Sequence, residues 1–319
     1  MNFPADVFQE FNVVAIPTRT SYRGIALREA VLFRGTQGWS EFSPFVEYDD
    51  AESASWLNAA VEAAYTAWPK SFRELIPINA TLPQVEVDQV PKILDAFTGC
   101  STIKIKVSDF EVGSELVEAS LEHIPDAKIR LDVNGKWTLE QALEYLYQYH
   151  LRFGPVFEYI EQPCEAASDL AKLRREIPIK IAVDESIRKH LADDFSELNH
   201  FADIAILKWQ PIGGFDTVHE IASRVGLPVV ISSALETGVG ISHGLALAAS
   251  FPKLDFACGL GTVALLESDI CEPALIPANG ELEVMRVEPS ERLLKKYAAS
   301  DERLQWWKNR VSRIWEVRR

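Results

Sequence analysis

Apolar and polar positions divide this chain into an opening segment, a repetitive middle and a charged tail. In the opening segment, residues 7–16, 25–33 and 38–42 are rich in β-branched and aromatic side chains and read as strands. The last two flank Arg34-Gly35-Thr36-Gln37, which predicts a hairpin. Residues 17–24, Pro-Thr-Arg-Thr-Ser-Tyr-Arg-Gly, read as a polar, cationic loop. Over residues 50–68, Leu57, Ala60, Val61, Ala64 and Trp68 recur at three- and four-residue steps, the period of a helix with one buried face. Asp49 or Asp50 can cap it. An α+β domain over residues 1–75 is expected.

From residue 77 the rhythm changes. Eight short β-rich runs follow, at residues 78–82, 103–107, 128–133, 157–161, 179–183, 204–208, 229–233 and 256–261. Amphipathic stretches such as 139–149, 169–176, 215–225 and 241–250 lie between them. This alternation implies parallel strands joined by crossover helices, and eight units fit a closed (β/α) barrel over residues 76–285 better than an open sheet. Gly238-Val-Gly240-Ile-Ser-His243 only approximates a dinucleotide fingerprint, with His in place of the third Gly. In the tail, residues 286–319, Leu304, Trp307, Val311 and Ile314 step at helical spacing beside Arg303, Lys308, Arg310, Arg313, Arg318 and Arg319. The tail reads as a surface helix packing its Trp stripe on the rest of the protein.

Charge narrows the partners. A formal net charge of −15 over 319 residues repels a phosphate backbone or an anionic membrane, so neither nucleic acid nor membrane is expected. Cys100, Cys164, Cys258 and Cys271 form no Cys-x-x-Cys pair and predict reduced thiols rather than a zinc site. With no signal-peptide profile at the first residues and no long uncharged apolar run, a cytoplasmic protein is expected. The oligomeric state stays open between monomer and homo-oligomer.

The chemistry gathers at the ends of the runs. Asp132 precedes an Asn134-Gly135 turn, Glu161 precedes Gln162-Pro163, Asp184 precedes Glu185-Ser186, and Lys208 ends its own run. These four lie 29, 23 and 24 residues apart, about one strand–helix unit each, so a parallel barrel brings them to one face. Three converging carboxylates repel one another unless neutralised. An oxygen-preferring divalent cation such as Mg²⁺ would neutralise them, and the absence of His and Cys argues against zinc. Alternation places Lys104 and Lys106 on the same side of their strand. Nearby positive charge lowers a lysine pKa, so that a neutral amine can act as base near neutral pH. Salt bridges between these lysines and the acids are the structural alternative, and any one of the Asp residues alone reads as a helix cap or turn residue.

Lys104-x-Lys106, Asp132-x-Asn134-Gly135, Glu161-Gln162-Pro163, Asp184-Glu185-Ser186 and Lys208 ahead of Gly213-Gly214 resemble the enolase superfamily in its muconate-lactonising subgroup, over essentially the whole chain. Tyr22-Arg23-Gly24-Ile25 with Arg28-Glu29, residues 38–44, residues 232–237 and Gly259-Leu260-Gly261-Thr262 are most similar to the dehydratases of menaquinone synthesis in that subgroup. The resemblance implies a modified (β/α)7β barrel of TIM type, capped by the N-terminal segment together with the C-terminal tail. It implies Mg²⁺, with Mn²⁺ as a substitute, on Asp132, Glu161 and Asp184. Lys106 would remove the proton α to a carboxylate and return it to a departing hydroxyl on the same face, through a metal-stabilised enediolate. Lys208 would stabilise the anion from the opposite side, and Lys104 would support Lys106. The implied substrate is a dianion, a succinyl-bearing hydroxycyclohexadiene carboxylate. Ser232, Ser233, Gly261 and Thr262 are expected at its succinyl carboxylate, Asn134 beside Asp132 or the substrate, and Arg23 or Arg28 at its negative charge. Within the same superfamily, N-acylamino acid racemisation, dipeptide epimerisation and muconate cycloisomerisation are the rivals, although residues 259–264 lack the acids that dipeptide epimerases use. Schiff-base chemistry on Lys208 and a non-catalytic binding barrel leave the acids or the lysines unexplained.

Overall fold

The computed structural model describes residues 3–22, 24–191 and 195–317. It opens with strands β1 (Gln9–Tyr22), β2 (Ile25–Gly35) and β3 (Gly38–Phe42), an antiparallel sheet in that order, followed by helix α1 (Glu52–Tyr65). The hairpin turn is Thr36-Gln37, since Gly35 pairs with Gly38. A Cβ on Gly35 would meet the Ala64 carbonyl oxygen at 2.4 Å, so α1 packs directly on this corner. Asp49 Oδ1 accepts the Glu52 N–H at 2.7 Å and supplies the expected cap.

Residues 17–22 are strand, not the expected loop: β1 runs on through Pro17, which pairs with Leu27. Among the described residues β1 lies at the edge of this sheet, beside β2, and an edge strand tolerates a proline without an N–H. The Pro17 carbonyl accepts the Glu267 N–H at 2.8 Å, which ties this edge to the rest of the molecule.

The middle of the chain follows the expected alternation. After β4 (Leu75–Pro77) come β5 (Ala80–Leu82), α2 (Val90–Leu94), β6 (Thr102–Lys106), α3 (Phe110–His123), β7 (Lys128–Asp132), α4 (Leu139–Phe153) and β8 (Phe157–Glu161). Then follow α5 (Ala167–Glu176), β9 (Ile181–Val183), α6 (Glu185–Arg188), β10 (Ile204–Lys208), α7 (Trp209–Ile212), α8 (Phe215–Val225), β11 (Val229–Ser232) and α9 (Gly238–Ala249). Strands β5 to β11 form one seven-stranded parallel sheet in sequence order. The eighth run is not a strand. Single parallel bridges, Ile78 to Cys258 and Ser232 to Gly259, connect it to both ends of the sheet and curl it closed. A Cβ on Gly259 would meet Ser232 Oγ at 2.4 Å, so the closing segment approaches too tightly for a regular strand with side chains.

Alternation along the strands sorts the side chains. Ile103, Ile105, Ile129, Leu131, Ile160, Val183 and Leu207 are buried in the large cluster that includes the helices. Tyr159, Ala182, Ile204, Ile206 and Val230 form a small separate cluster. Arg130, fully buried, lies against that cluster: it bonds Glu158, Asn79 and the Ala257 carbonyl at 2.6, 2.9 and 2.8 Å and covers the Tyr159 ring. The barrel is therefore filled with side chains below the strand ends, as a packed core rather than a pore.

The chain ends with β12 (Glu281–Glu283), which pairs with β4, then α10 (Glu291–Lys296) and α11 (Asp301–Val317). Trp307, Val311 and Ile314 of α11 share a core with Phe8, Phe33, Phe42 and Trp56. Several expected surface cations of this helix are engaged internally. Arg303 and the Trp307 indole bond Glu29, Arg313 pairs with Asp50, and Arg310 is buried and bonds Ser53 Oγ at 2.7 Å. Arg318 and Arg319 lie outside the described residues. The four cysteines are buried free thiols, and among the described residues no helix is long and apolar enough to cross a membrane.

Candidate active site

Strand register brings the acids and lysines together. Lys106 is the ladder partner of Asp132, and Asp132 of Glu161, so three adjacent strands end in a lysine and two acids. Asp184 follows β9 directly, and Lys208 ends β10. All three carboxylates are almost fully buried. Lys106 Nζ donates to Asp132 Oδ2 at 2.5 Å and to Asn134 Oδ1 at 2.9 Å. Lys104 bridges two acids, 3.2 Å from Asp132 Oδ2 and 3.1 Å from Glu161 Oε2. On the far flank, Lys208 Nζ donates to Asp184 Oδ2 at 2.7 Å. The salt-bridge network set out as the structural alternative is thus present in full.

Charge sets the protonation states. Burial alone would raise the Asp132 carboxyl, but Lys106 and Lys104 hold it well below the usual range. Burial is likewise outweighed at Asp184, which Lys208 and Arg188 hold down. Glu161 is pushed up to about 7 by burial and then by the neighbouring Asp132 charge. Lys208 departs from the sequence expectation that nearby positive charge lowers lysine pKa values. Burial lowers it, but the Asp184 carboxylate outweighs burial and raises it, which keeps the side chain an ammonium.

The turns after the strands carry strain at useful places. Asn134 and Gln162 have φ of 54° and 42°, the left-handed region that non-glycine residues rarely occupy. In that conformation Gln162 Oε1 accepts the N–H groups of Asp184 and Ser186, both at 3.2 Å. Its amide nitrogen donates to Ser186 Oγ at 2.8 Å and the Cys164 carbonyl at 3.0 Å. Gln162 therefore fixes the backbone of the third acid. This role is not legible in the sequence, because it depends on a turn conformation.

Among the expected substrate-binding residues, Ser233 Oγ donates to the Gly259 carbonyl at 2.6 Å and shares a hydrogen bond with Thr262 Oγ1 at 2.9 Å. Ser232 pairs with Lys208 across β10 and β11, and Gly261 precedes the turn that Thr262 opens. These four therefore lie together at the closing seam beside Lys208. Arg23 lies outside the described residues. Arg28, its alternative, is buried and donates to the carbonyls of Leu235, Ala234 and Ser43 while covering the Phe45 ring. Its charge is used to join cap and barrel. The same seam holds Glu41, whose carboxylate accepts from Thr237 and from the Gly240 N–H at 3.0 Å, and Glu236, which sequence reasoning left without a role. A cavity of about 560 Å³ opens on the other flank, lined by Lys106, Asp132, Asn134, Gln84, Ser108 and Lys136.

Among the described residues, no three Asp, Glu, His or Cys side chains stand as a ready cation cage. Each of the three acids has a lysine nitrogen within 3.2 Å of one of its oxygens. The acids nonetheless fit a hard divalent cation. Asp132 Oδ1 is buried without a hydrogen-bond partner, Glu161 is pushed up to about 7 by burial and the Asp132 charge, which an added cation would relieve, and every donor is oxygen.

Known proteins place this arrangement in a class. Residues 13–64 match the family model described as enolase N-terminal domain-like, and residues 89–289 the one described as enolase C-terminal domain-like. The chain belongs to the enolase superfamily. Within that class it is 43% identical to a protein from Mycolicibacterium smegmatis named o-succinylbenzoate synthase, over 96% of this chain and 95% of that protein. A protein of the same name from Thermobifida fusca is 44% identical over 88% of this chain and 89% of its own length. Among solved structures, muconate lactonizing enzyme from Pseudomonas fluorescens, complexed with muconolactone, superposes with a TM-score of 0.74 at 19% identity, covering 92% of this chain and 100% of that one. An enolase from Mycobacterium smegmatis complexed with tartrate gives 0.74 at 19% identity, covering 91% and 90%. These two likenesses are to the fold: a curled parallel sheet with helices, capped by an N-terminal strand domain.

Proposed function

We propose that this chain is an o-succinylbenzoate synthase, a lyase that dehydrates a succinyl-bearing hydroxycyclohexadiene carboxylate to the aromatic succinylbenzoate of menaquinone synthesis. The observation that carries the chemistry is the pair Lys106 and Lys208, each hydrogen-bonded to a different acid on opposite flanks of one buried carboxylate cluster. Near-full-length similarity to proteins of that name selects the reaction within the superfamily.

Lys106 Nζ, at the wall of the cavity, takes the proton α to the ring carboxylate and gives it to the leaving hydroxyl on the same face. The C–H and C–O bonds break, water departs and the ring gains its third double bond. Lys208, kept as an ammonium by Asp184, supplies positive charge from the other side and stays protonated throughout. Lys104 fixes the relative position of Asp132 and Glu161. Asp132, Glu161 and Asp184 would hold a divalent cation, Mg²⁺ with Mn²⁺ as a substitute, which when bound supplies positive charge where negative charge builds on the substrate. Lysines and cation together attract a dianion to a chain whose net charge is −15.

The test is proton NMR of the hydroxycyclohexadiene carboxylate mixed with enzyme and Mg²⁺. New aromatic ring signals are expected. An unchanged diene spectrum would remove the assigned reaction while leaving the superfamily membership intact.

A further inference from the structure

The turn after β9 carries a cation that the reaction scheme does not use. Arg188 ends α6, and its side chain is only 11% exposed. Its guanidinium reaches Glu185 Oε1 at 3.1 Å, Asp184 Oδ1 at 3.5 Å and, from the cap, Glu52 Oε1 at 3.6 Å. The Glu52 side chain is 43% exposed, so solvent screens that contact and it contributes little. The other two are shielded, Asp184 at 2% and Glu185 at 12% exposed.

These contacts continue in both directions. Glu185 Oε1 also accepts from Asn134 Nδ2 at 3.1 Å, and Asn134 Oδ1 accepts from Lys106. Asp184 offers Oδ1 to Arg188 and Oδ2 to Lys208. One unbroken arc therefore runs from Lys106 through Asn134, Glu185, Arg188 and Asp184 to Lys208. Glu185 Oε2 is buried without a hydrogen-bond partner, so the hold on Glu185 comes through its other oxygen.

We infer that Arg188 is a positioning residue for the acid cluster: its planar fork fixes the Asp184 carboxylate and, through Glu185 and Asn134, the Lys106 amine. This rests on the reading that Asp132, Glu161 and Asp184 hold a divalent cation. Two accounts of Arg188 predict opposite signs. As a bare charge 3.5 Å from an oxygen of Asp184 it repels the cation, and its removal tightens binding. As a positioning group, its removal lets Asp184 and Glu185 turn away, and affinity falls about tenfold to a hundredfold, as for other partners that orient metal-binding side chains. Lysine keeps the charge but lacks the fork that spans two carboxylates.

The experiment titrates Mn²⁺ by calorimetry into the full-length wild-type protein, R188K and R188M, with thermal melts to establish that each is folded. Both variants are expected to bind about tenfold more weakly or worse. At saturating Mn²⁺, kcat should fall by about tenfold while KM for the substrate stays within about threefold, since the loss is in geometry at the reacting centre. An R188M affinity equal to or above wild type overturns the inference, and so does an R188K affinity matching wild type. Wild-type protein that takes up no Mn²⁺ overturns the cation reading and the inference with it, a result distinct from wild-type binding that the variants leave unchanged.

Discussion

Lys106 and Lys208 touch different carboxylates, and this gives them different consequences on removal. Lys106→Ala deletes the proposed base, and kcat for dehydration should fall by about 10² to 10⁴. It also removes a side-chain nitrogen 2.5 Å from Asp132 Oδ2 that competes with a cation for that oxygen, so Mg²⁺ affinity should hold or tighten. Calorimetric Mg²⁺ binding and steady-state kinetics on the same variant separate the two effects. Weakened Mg²⁺ binding with kcat unchanged would assign Lys106 to the structure of the site rather than to proton transfer. At this scale, Asp132, Glu161, Asp184 and the lysines were legible in the sequence because a strand-end position has meaning without knowledge of any contact. Gln162, Arg188 and Glu41 were not. Gln162 acts through a left-handed turn, Arg188 through a fork between adjacent carboxylates, and Glu41 through a helix start 196 residues away.

Among the elements, the joint between β3 and the start of α9 shows how the cap is seated. Glu41 on β3 accepts hydrogen bonds from Thr237 and Gly240, where the positive end of the α9 dipole favours an anion. Glu236 lies beside it with Oε1 buried and without a hydrogen-bond partner. Burial, and then the Glu236 charge, push Glu41 up from 4.5 to about 7. A carboxyl group with a raised folded pKa binds its proton more tightly when folded, so this group lowers stability as pH rises from 4.5 to about 7. Glu236→Gln removes the neighbouring charge. Melting curves should show the variant more stable than wild type at pH 8, with Tm higher by roughly 1.5 °C per kcal/mol relieved, and the gap closing near pH 5. A gap independent of pH would mean that the two carboxylates do not interact.

Element boundaries were legible where hydrophobic period and strand position agree: residues 157–161 and 204–208 are strands as read. They failed where a neighbour decides. The polar run 17–22 became strand because β2 offers it a partner, and the apolar run 256–261 did not because it closes the barrel too tightly.

Across the whole molecule, one parallel sheet gathers the charged side chains at one rim, and a cap built from both ends of the chain is bolted to that rim by Arg28 and Glu41. The closed alternation was visible from sequence. That α11 shares the core of β1–β3 depended on contacts across nearly the full chain length, such as Trp307 with Glu29. The central claim is that this rim is a cation-dependent acid–base site. Its most direct test is the aromatisation rate of the hydroxycyclohexadiene carboxylate on protein stripped with EDTA and then titrated with Mg²⁺. The rate should drop by about a hundredfold or more on stripping and return with added Mg²⁺, because three buried carboxylates then regain their counter-charge. A stripped protein that aromatises the substrate at the untreated rate would contradict it.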